Sequence, residues 1–417
     1  MPLEEIIVGR EPSNVQKFGS KGCVFLGKHT VSVGFETNLT NPILMDVAEP
    51  HVMLIVGKRG SGKSYSAAVI AEEIMQQPVE IRNQLSVIMI DTAGIFWSMK
   101  EPNDQALLLL KQWKVEPKSF DTKNIIPLGL TAFYKKNKID FDDTFAIKPS
   151  DLTAGDWALT FSISLLDPLG VLLERAIKKL EGKGFSLEDI MHAIEKDDKS
   201  DVKERQALTN RFSAAEGWGI FSKEATPIEK FLVPGIATVL DVSLQEWNVR
   251  NLMLAILARK LYEARTAARR EEEMAFMEGE SKRKVPLIWL IMDEAHNFVP
   301  SDSDTAATNA LLTLVRQGRQ PGISTVFITQ RPNRLHEDVI AQADFVLAHR
   351  ITAKQDLEAL GAVMQTYLLE DIQKLIAQMP KTKGAGIILD DNSERLFAIQ
   401  VRPRQSWHAG GTASALK

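Results

Sequence analysis

The stretch Gly57-Lys58-Arg59-Gly60-Ser61-Gly62-Lys63-Ser64 fits the pattern G-x-x-x-x-G-K-[ST], and its flanks decide the fold. His51 to Val56 (HVMLIV) reads as a buried strand, and Ser64 to Gln77 carries apolar residues at helical spacing until Pro78 stops it. A strand, a glycine-rich turn and a helix in that order let backbone N–H groups curl around a β-phosphate, with the helix N-terminus adding partial positive charge. Lys63 is placed to neutralise β- and γ-oxygens and Ser64 to hold Mg²⁺. The candidate phosphate-binding residues are Gly57, Lys58, Arg59, Gly60, Ser61, Gly62, Lys63, Ser64 and Tyr65.

The 417 residues allow a large core with an inserted or appended element. Hydrophobic residues at 44% and charged residues at 25% argue against disorder and fibrous repeats. A net charge of −4 gives no global pull toward nucleic acid, so any DNA contact needs a local basic lining. The single Cys23 rules out an intramolecular disulfide and suits a reducing compartment. No run approaches the ~20 apolar residues of a membrane span, and the start MPLEEIIVGREPS lacks signal-peptide character, so a cytoplasmic protein without a membrane partner is expected. The scattered histidines form no zinc-binding pattern.

Strand signals at 52–56, 85–91, 236–242, 286–293, 323–329 and 344–348 alternate with helical patterns, which implies an α/β core with a mainly parallel sheet covered on both faces. Residues 1–47 read as a short N-terminal β element, reduced and barrel-like, ahead of that core. The core takes 48–94 and 236–404, interrupted by a mainly helical insertion at 95–235, where Ser186-Leu187-Glu188-Asp189 looks like a capping sequence. The helix from Val249 to about Ala268 is expected to give way to a mobile connector within 263–284, and 405–417 is a tail that cannot fold alone.

A phosphate loop needs an acidic element for the metal, and the strand Leu287–Met292 delivers Asp293 and Glu294 at its carboxyl end. Asp293, with Ser64, would hold Mg²⁺, while Glu294 would orient and deprotonate an attacking water. Strand 323–329 ends at Gln330, a candidate γ-phosphate sensor able to pass its state to Arg331 and Arg334. No acidic residue occurs from Arg316 to His336, so Arg316 and Arg319 lack local partners and are free to face phosphate, in a neighbouring subunit's nucleotide or in nucleic acid. Asp91-Thr92-Ala93-Gly94 and Asn137-Lys138-Ile139-Asp140 imitate guanine-nucleotide motifs, but Asn137 follows no buried strand. Asp293-Glu294-Ala295-His296 spells a DEAH helicase box without that family's second motor domain. Lys381, Lys383, Arg402 and Arg404 have no interleaved aromatics and read as a solvated rim.

The chain resembles the HerA/FtsK superfamily of ring ATPases, and HerA-like proteins most closely. The resemblance rests on GKRGSGKS at 57–64, VLDVSLQEWNVRNLMLAILARKLYE at 239–263, LIMDEAHNFVP at 290–300, VRQGRQPGISTVFITQRPNRLHEDVIAQAD at 315–344 and VRPRQSWHAGG at 401–411. It implies a RecA-type core with a helical insertion, a homo-oligomeric, hexameric ring, and ATP hydrolysis with Mg²⁺ driving movement along double-stranded DNA. Lys63 and Ser64 would bind phosphate and Mg²⁺, Asp293 and Glu294 form the hydrolytic pair, Gln330 be the sensor, and Arg319, more than Arg316, the finger offered to the next subunit. A tail such as 405–417 would brace against its neighbour. The N-terminal element is shorter than the β-barrel that caps such rings and docks a nuclease, and Ile95 stands where the family frequently carries Glu. Two readings follow: a DNA-stimulated motor, or an ATP-dependent ring scaffold that recruits or restrains an effector such as a nuclease.

Overall fold

The computed structural model describes residues 4–33, 36–280, 283–351, 379–380 and 382–411. Its strands are β1 Ile6–Val8, β2 Cys23–Val33, β3 Glu36–Asp46, β4 Val52–Val56, β5 Leu85–Asp91, β6 Thr122–Pro127, β7 Asp143–Phe145, β8 Ala237–Asp241, β9 Leu287–Met292, β10 Ile323–Thr329, β11 Phe345–His349, β12 Ala385–Asp390 and β13 Arg395–Val401. They form one 13-stranded sheet in the order β1-β3-β2-β13-β12-β11-β4-β10-β9-β5-β8-β6-β7. From β7 to β11 every neighbouring pair is parallel, and from β11 through β12, β13 and β2 to β3 the pairs are antiparallel.

The continuous apolar runs of the central strands follow from burial on both faces. Val52, Leu54 and Val56 of β4 enter one core, shared with the long helix Trp247–Met277, while Met53 and Ile55 enter the other, shared with the helix Lys63–Met75. Each such fully buried side chain contributes roughly 1.5–3 kcal/mol.

The described residues of the 1–47 segment do not stand apart as a barrel-like piece. β2 pairs with β13 through Ile399↔His29 and Val401↔Gly27, so the N-terminal strands extend the core sheet and use an edge that would otherwise be open. Residues 95–235 supply more than helices: β6 pairs with β8, and β7 with β6, widening the parallel sheet at its far edge. Lys123 and Asn124 interrupt the apolar pattern of β6, which leaves little strand signal in the sequence. The helices Ala154–Phe161, Pro168–Leu180, Leu187–Glu195 and Val202–Glu216 pack around Trp157 and Phe212, and Ser186 makes both hydrogen bonds of a capping box.

The segment expected to loosen after Ala268 instead stays helical to Met277. Arg265 holds it there: fully buried, it donates to Pro321 O at 2.8 Å, Val285 O at 2.8 Å and Glu272 Oε1 at 2.9 Å.

Arg402 and Arg404 are not a solvated rim but fully buried. Arg402 Nη1 donates to Glu72 Oε2 at 2.9 Å and its Nε to Glu73 Oε1 at 2.7 Å. Glu72, also 0% exposed, accepts further bonds from the backbone N–H groups of Gln405 and Ser406 at 3.1 and 2.9 Å. The partners lie on the helix after the phosphate loop, some 330 residues away in sequence, so charge patterning could not reveal them. The first residues of the tail therefore brace their own chain, and Trp407 stacks edge-on against Trp97. Residues 412–417 of that tail, and Lys381, lie outside the described residues.

Breaking a buried charge network leaves the remaining ions uncompensated. Glu72→Gln is expected to lower unfolding free energy by about 3–5 kcal/mol in urea titrations. A loss within about 0.5 kcal/mol, ordinary for surface changes, would contradict this role.

Candidate active site

Parallel register brings the chemistry to one sheet edge. β10 lies between β4 and β9, with Thr329 opposite Val56 and Phe327 opposite Met292. Gly57, Gln330 and the Asp293-Glu294 pair therefore leave adjacent strands side by side at their carboxyl ends.

Gly57 and Gly62 of the loop are required by space as well as by φ. A Cβ on Gly57 would lie 2.6 Å from Ser61 Oγ and 2.8 Å from His349 Cβ. Gly62 has φ +114°, and a Cβ there would meet Gly384 N at 3.1 Å, where the chain entering β12 crosses the loop. Beneath the loop, His349 links it to β12: its Nδ1 lies 2.9 Å from Ala385 O and its Nε2 3.0 Å from Ser66 Oγ. The carbonyl can only accept, so Nδ1 carries the proton and Nε2 accepts from the serine. Burial pushes this imidazole down to about 4 and keeps it neutral at pH 7.

Lys63 is buried, and its Nζ donates to Lys58 O at 3.2 Å across the loop. Burial lowers its pKa, while Glu294 and Asp293 act in the opposite direction. Ser64 Oγ donates to Asp293 Oδ2 at 3.0 Å. Burial raises the Asp293 pKa against that hydrogen bond, and burial with the Asp293 charge raises that of Glu294. Glu294 sits in the left-handed region at φ 52°, an uncommon conformation for a non-glycine residue that directs its carboxylate toward Gln330. Gln330 Nε2 lies 3.3 and 3.4 Å from the two Glu294 oxygens.

This donor set suits a magnesium nucleotide. The Ser64 hydroxyl and Asp293 carboxylate are hard oxygen donors, to be completed by phosphate oxygens and water. The buried Ser61 hydroxyl has no hydrogen-bond partner among the described residues, which fits a loop built to meet an anion.

Other predicted residues go elsewhere. Tyr65 turns its ring from the loop, accepting Arg404 N–H at 2.6 Å and meeting His408 edge-on. Arg316 and Arg319 do have partners: Arg316 pairs with Asp338, and Arg319 Nη2 lies 3.3 Å from Asp344 Oδ2 and 3.3 Å from Gln342 O. The partners follow the acid-free window and return to it by folding of the short helix Glu337–Ala341. Both arginines precede β10, at the amino edge of the sheet, a seven-residue strand or roughly 23 Å from Gln330. Neither reaches its own phosphate loop.

The guanine-nucleotide imitation also resolves. β9 and β10 separate β5 from β4, and Asp91 accepts the N–H groups of Ala93, Gly94, Ile95 and Phe96 at 2.7–3.1 Å, capping its own loop. Asn137 ends a helix and donates to Phe133 O at 2.8 Å. Sequence reasoning missed His349, which directly follows the expected strand 344–348 and ends the observed β11 beside the loop-bearing β4. It passed over His296, whose Nδ1 lies 3.0 Å from Thr329 Oγ1 and 3.5 Å from Glu294 Oε2.

The His349 pKa also sets a pH dependence. Between 6.5 and about 4 the unfolded chain takes up a proton that the folded one refuses, so this residue's contribution is present above pH 6.5 and lost as pH falls toward 4. His349→Asn is expected to make the melting temperature fall less steeply across that window than in the wild type; identical slopes would contradict the buried neutral imidazole.

Residues 36–261 match the model of the HerA helicase central domain. A DNA double-strand break repair helicase HerA of Pyrococcus furiosus is 27% identical over 34% of this chain and 27% of its own length. A probable DNA double-strand break repair helicase HerA of Methanocaldococcus jannaschii is 22% identical over 78% of this chain. That second alignment spans 66% of the relative. Among solved structures, VirB4 of Thermoanaerobacter pseudethanolicus superposes with TM-score 0.56 at 15% identity, covering 91% of this chain and 96% of its own. The bacterial conjugative coupling protein TrwB superposes with TM-score 0.51 at 12% identity, covering 91% and 89%. These likenesses establish a RecA-like P-loop fold, and the sequence match, which takes in the phosphate loop and more than half of the chain, places this protein in the HerA helicase central-domain family.

Proposed function

We propose that the protein is an ATP-hydrolysing ring subunit that acts on double-stranded DNA. The observation that carries this reading is the convergence of Lys63, Ser64, Asp293, Glu294 and Gln330 at one sheet edge, with Ser64 and Asp293 3.0 Å apart. Lys63 and the N–H groups of the loop bind the triphosphate. Ser64 and Asp293 would hold Mg²⁺, which would supply charge neutralisation to the bound triphosphate. Glu294 orients water and accepts its proton, and its raised pKa makes it a stronger base than an exposed carboxylate.

Gln330 holds Glu294 through its amide, so a γ-phosphate that recruits the amide releases the carboxylate for water. Arg319, whose side chain is about half exposed, completes the site of a neighbouring subunit, leaving the buried Asp344, which keeps its bonds to His51 and Val52 N–H, for the γ-phosphate. That arrangement needs a heterologous, closing interface, as in a hexameric ring. DNA action rests on the names of the HerA relatives; an effector such as a nuclease is a further partner of the same ring.

Glu294→Gln is expected to retain binding of a fluorescent ATP analogue while turnover falls by about 10²–10⁴. Undiminished phosphate release would overturn the assignment. Wild-type turnover should rise with duplex DNA and lose that response as salt increases. Hydrolysis indifferent to duplex DNA of every length would leave an ATPase ring scaffold rather than a DNA motor.

A further inference from the structure

Beside Glu294 lies a cleft of about 280 Å³ whose lining includes His296, Asn297, Asp302, Ser303, Arg331 and Arg334. Its two walls are the segments that follow the hydrolytic pair and the sensor. They are joined to each other: Ser301 N–H donates to Arg334 O at 3.0 Å, His336 N–H to Val299 O at 2.9 Å, and Pro300 and Leu335 form an antiparallel bridge. One wall begins at Glu294 and the other at Gln330, so a ligand gripping both would act on both residues.

The cleft is positively biased. Arg331 and Arg334 are exposed, and neither guanidinium makes a hydrogen bond or ion pair with any described residue. This contrasts with Arg10, Arg175, Arg259, Arg265, Arg316 and Arg402, all of which pair with carboxylates. The Asp302 carboxylate also lines the cleft, and its Oδ1 accepts from Ser303 Oγ at 3.2 Å. Two guanidiniums of the lining therefore face one lining carboxylate, with the Glu294 carboxylate near enough to Arg331 to feel its charge. His296 stays neutral there, pushed down to about 4 by burial first and then by Arg331 and Arg334.

Guanidinium, amide and hydroxyl groups without an apolar pocket are the set that contacts phosphodiester oxygens; a protein partner would want a buried apolar or aromatic anchor. We infer that this cleft binds the phosphodiester backbone of DNA and that the grip is transmitted through the paired walls to Glu294 and Gln330. The inference deepens the proposed function and rests on its DNA-acting reading. Phosphate binding would draw Arg331 and Arg334 inward, shift the bridged segments together and alter the Gln330–Glu294 contact that governs water activation.

The test is fluorescence anisotropy of a labelled 30-base-pair duplex with the full chain and a non-hydrolysable ATP analogue, at graded salt. The double variant R331Q/R334Q should weaken the apparent Kd at least tenfold and lower the slope of log K against log salt by about two, one for each lost phosphate contact. R331K/R334K, which restores charge without the guanidinium fork, should recover part of both. Melting curves and sedimentation of each variant establish that fold and assembly survive. Wild-type binding with unchanged affinity and slope in R331Q/R334Q would overturn the inference alone, whereas failure of the wild type to bind duplex would overturn the DNA-acting reading as well. Loss of ATP-analogue binding in the variant, with DNA affinity intact, would assign the arginines to the nucleotide and also overturn it.

Discussion

The position of β10 between β4 and β9 is the constraint on which the site depends. It separates the phosphate loop from the Asp293-Glu294 pair by one strand and places Gln330 in the gap. Ser64 can still reach Asp293 because the helix after the loop starts above the sheet edge, and their 3.0 Å hydrogen bond spans the intervening strand. Glu294 then falls beside Gln330 rather than beside the loop, so the proposed base and sensor are in contact with one another. The same strand order moves Asp91 two strands away from the loop strand's neighbour and leaves it a structural cap.

The loop is also clamped from outside. Its helix carries Glu72 and Glu73, which hold Arg402 and the chain beyond β13 through a buried network. The turn into β12 crosses Gly62, and His349 of β11 ties Ser66 to that strand. A phosphate loop must present several N–H groups to one anion without reorganising, and these contacts restrict its movement from two sides. Burial of so much charge is costly unless every ion is paired, which explains the density of hydrogen bonds on Glu72.

Much of this was legible in the sequence because local signals coincide with the chemistry. The loop and the Asp293-Glu294 pair follow unbroken apolar runs, Gln330 follows the β-branched-rich strand Ile323–Thr329, and a parallel sheet places those ends together. β6 was obscured by Lys123 and Asn124, and the β2–β13 pairing depends on residues far apart in sequence. The same distance concealed why Arg402 and Arg404 are buried. For Arg316 and Arg319 the absence of nearby acids was real, but Asp338 and Asp344 return through the fold. His349 needed knowledge of what packs beneath the loop, which no period or motif supplies.

In the proposed ring, Arg319 at the amino edge serves a neighbouring subunit's phosphate loop, so that each subunit carries half of two sites. The direct measurement is ATP turnover in mixtures of a Lys63→Ala chain and an Arg319→Ala chain, each assembled alone and then together. Each alone should be nearly inactive, and the mixture should regain activity, because some interfaces pair an intact loop on an Arg319→Ala subunit with an intact Arg319 on a Lys63→Ala subunit. Mixed assemblies that form yet stay inactive, or an Arg319→Ala chain with full turnover by itself, would contradict the account.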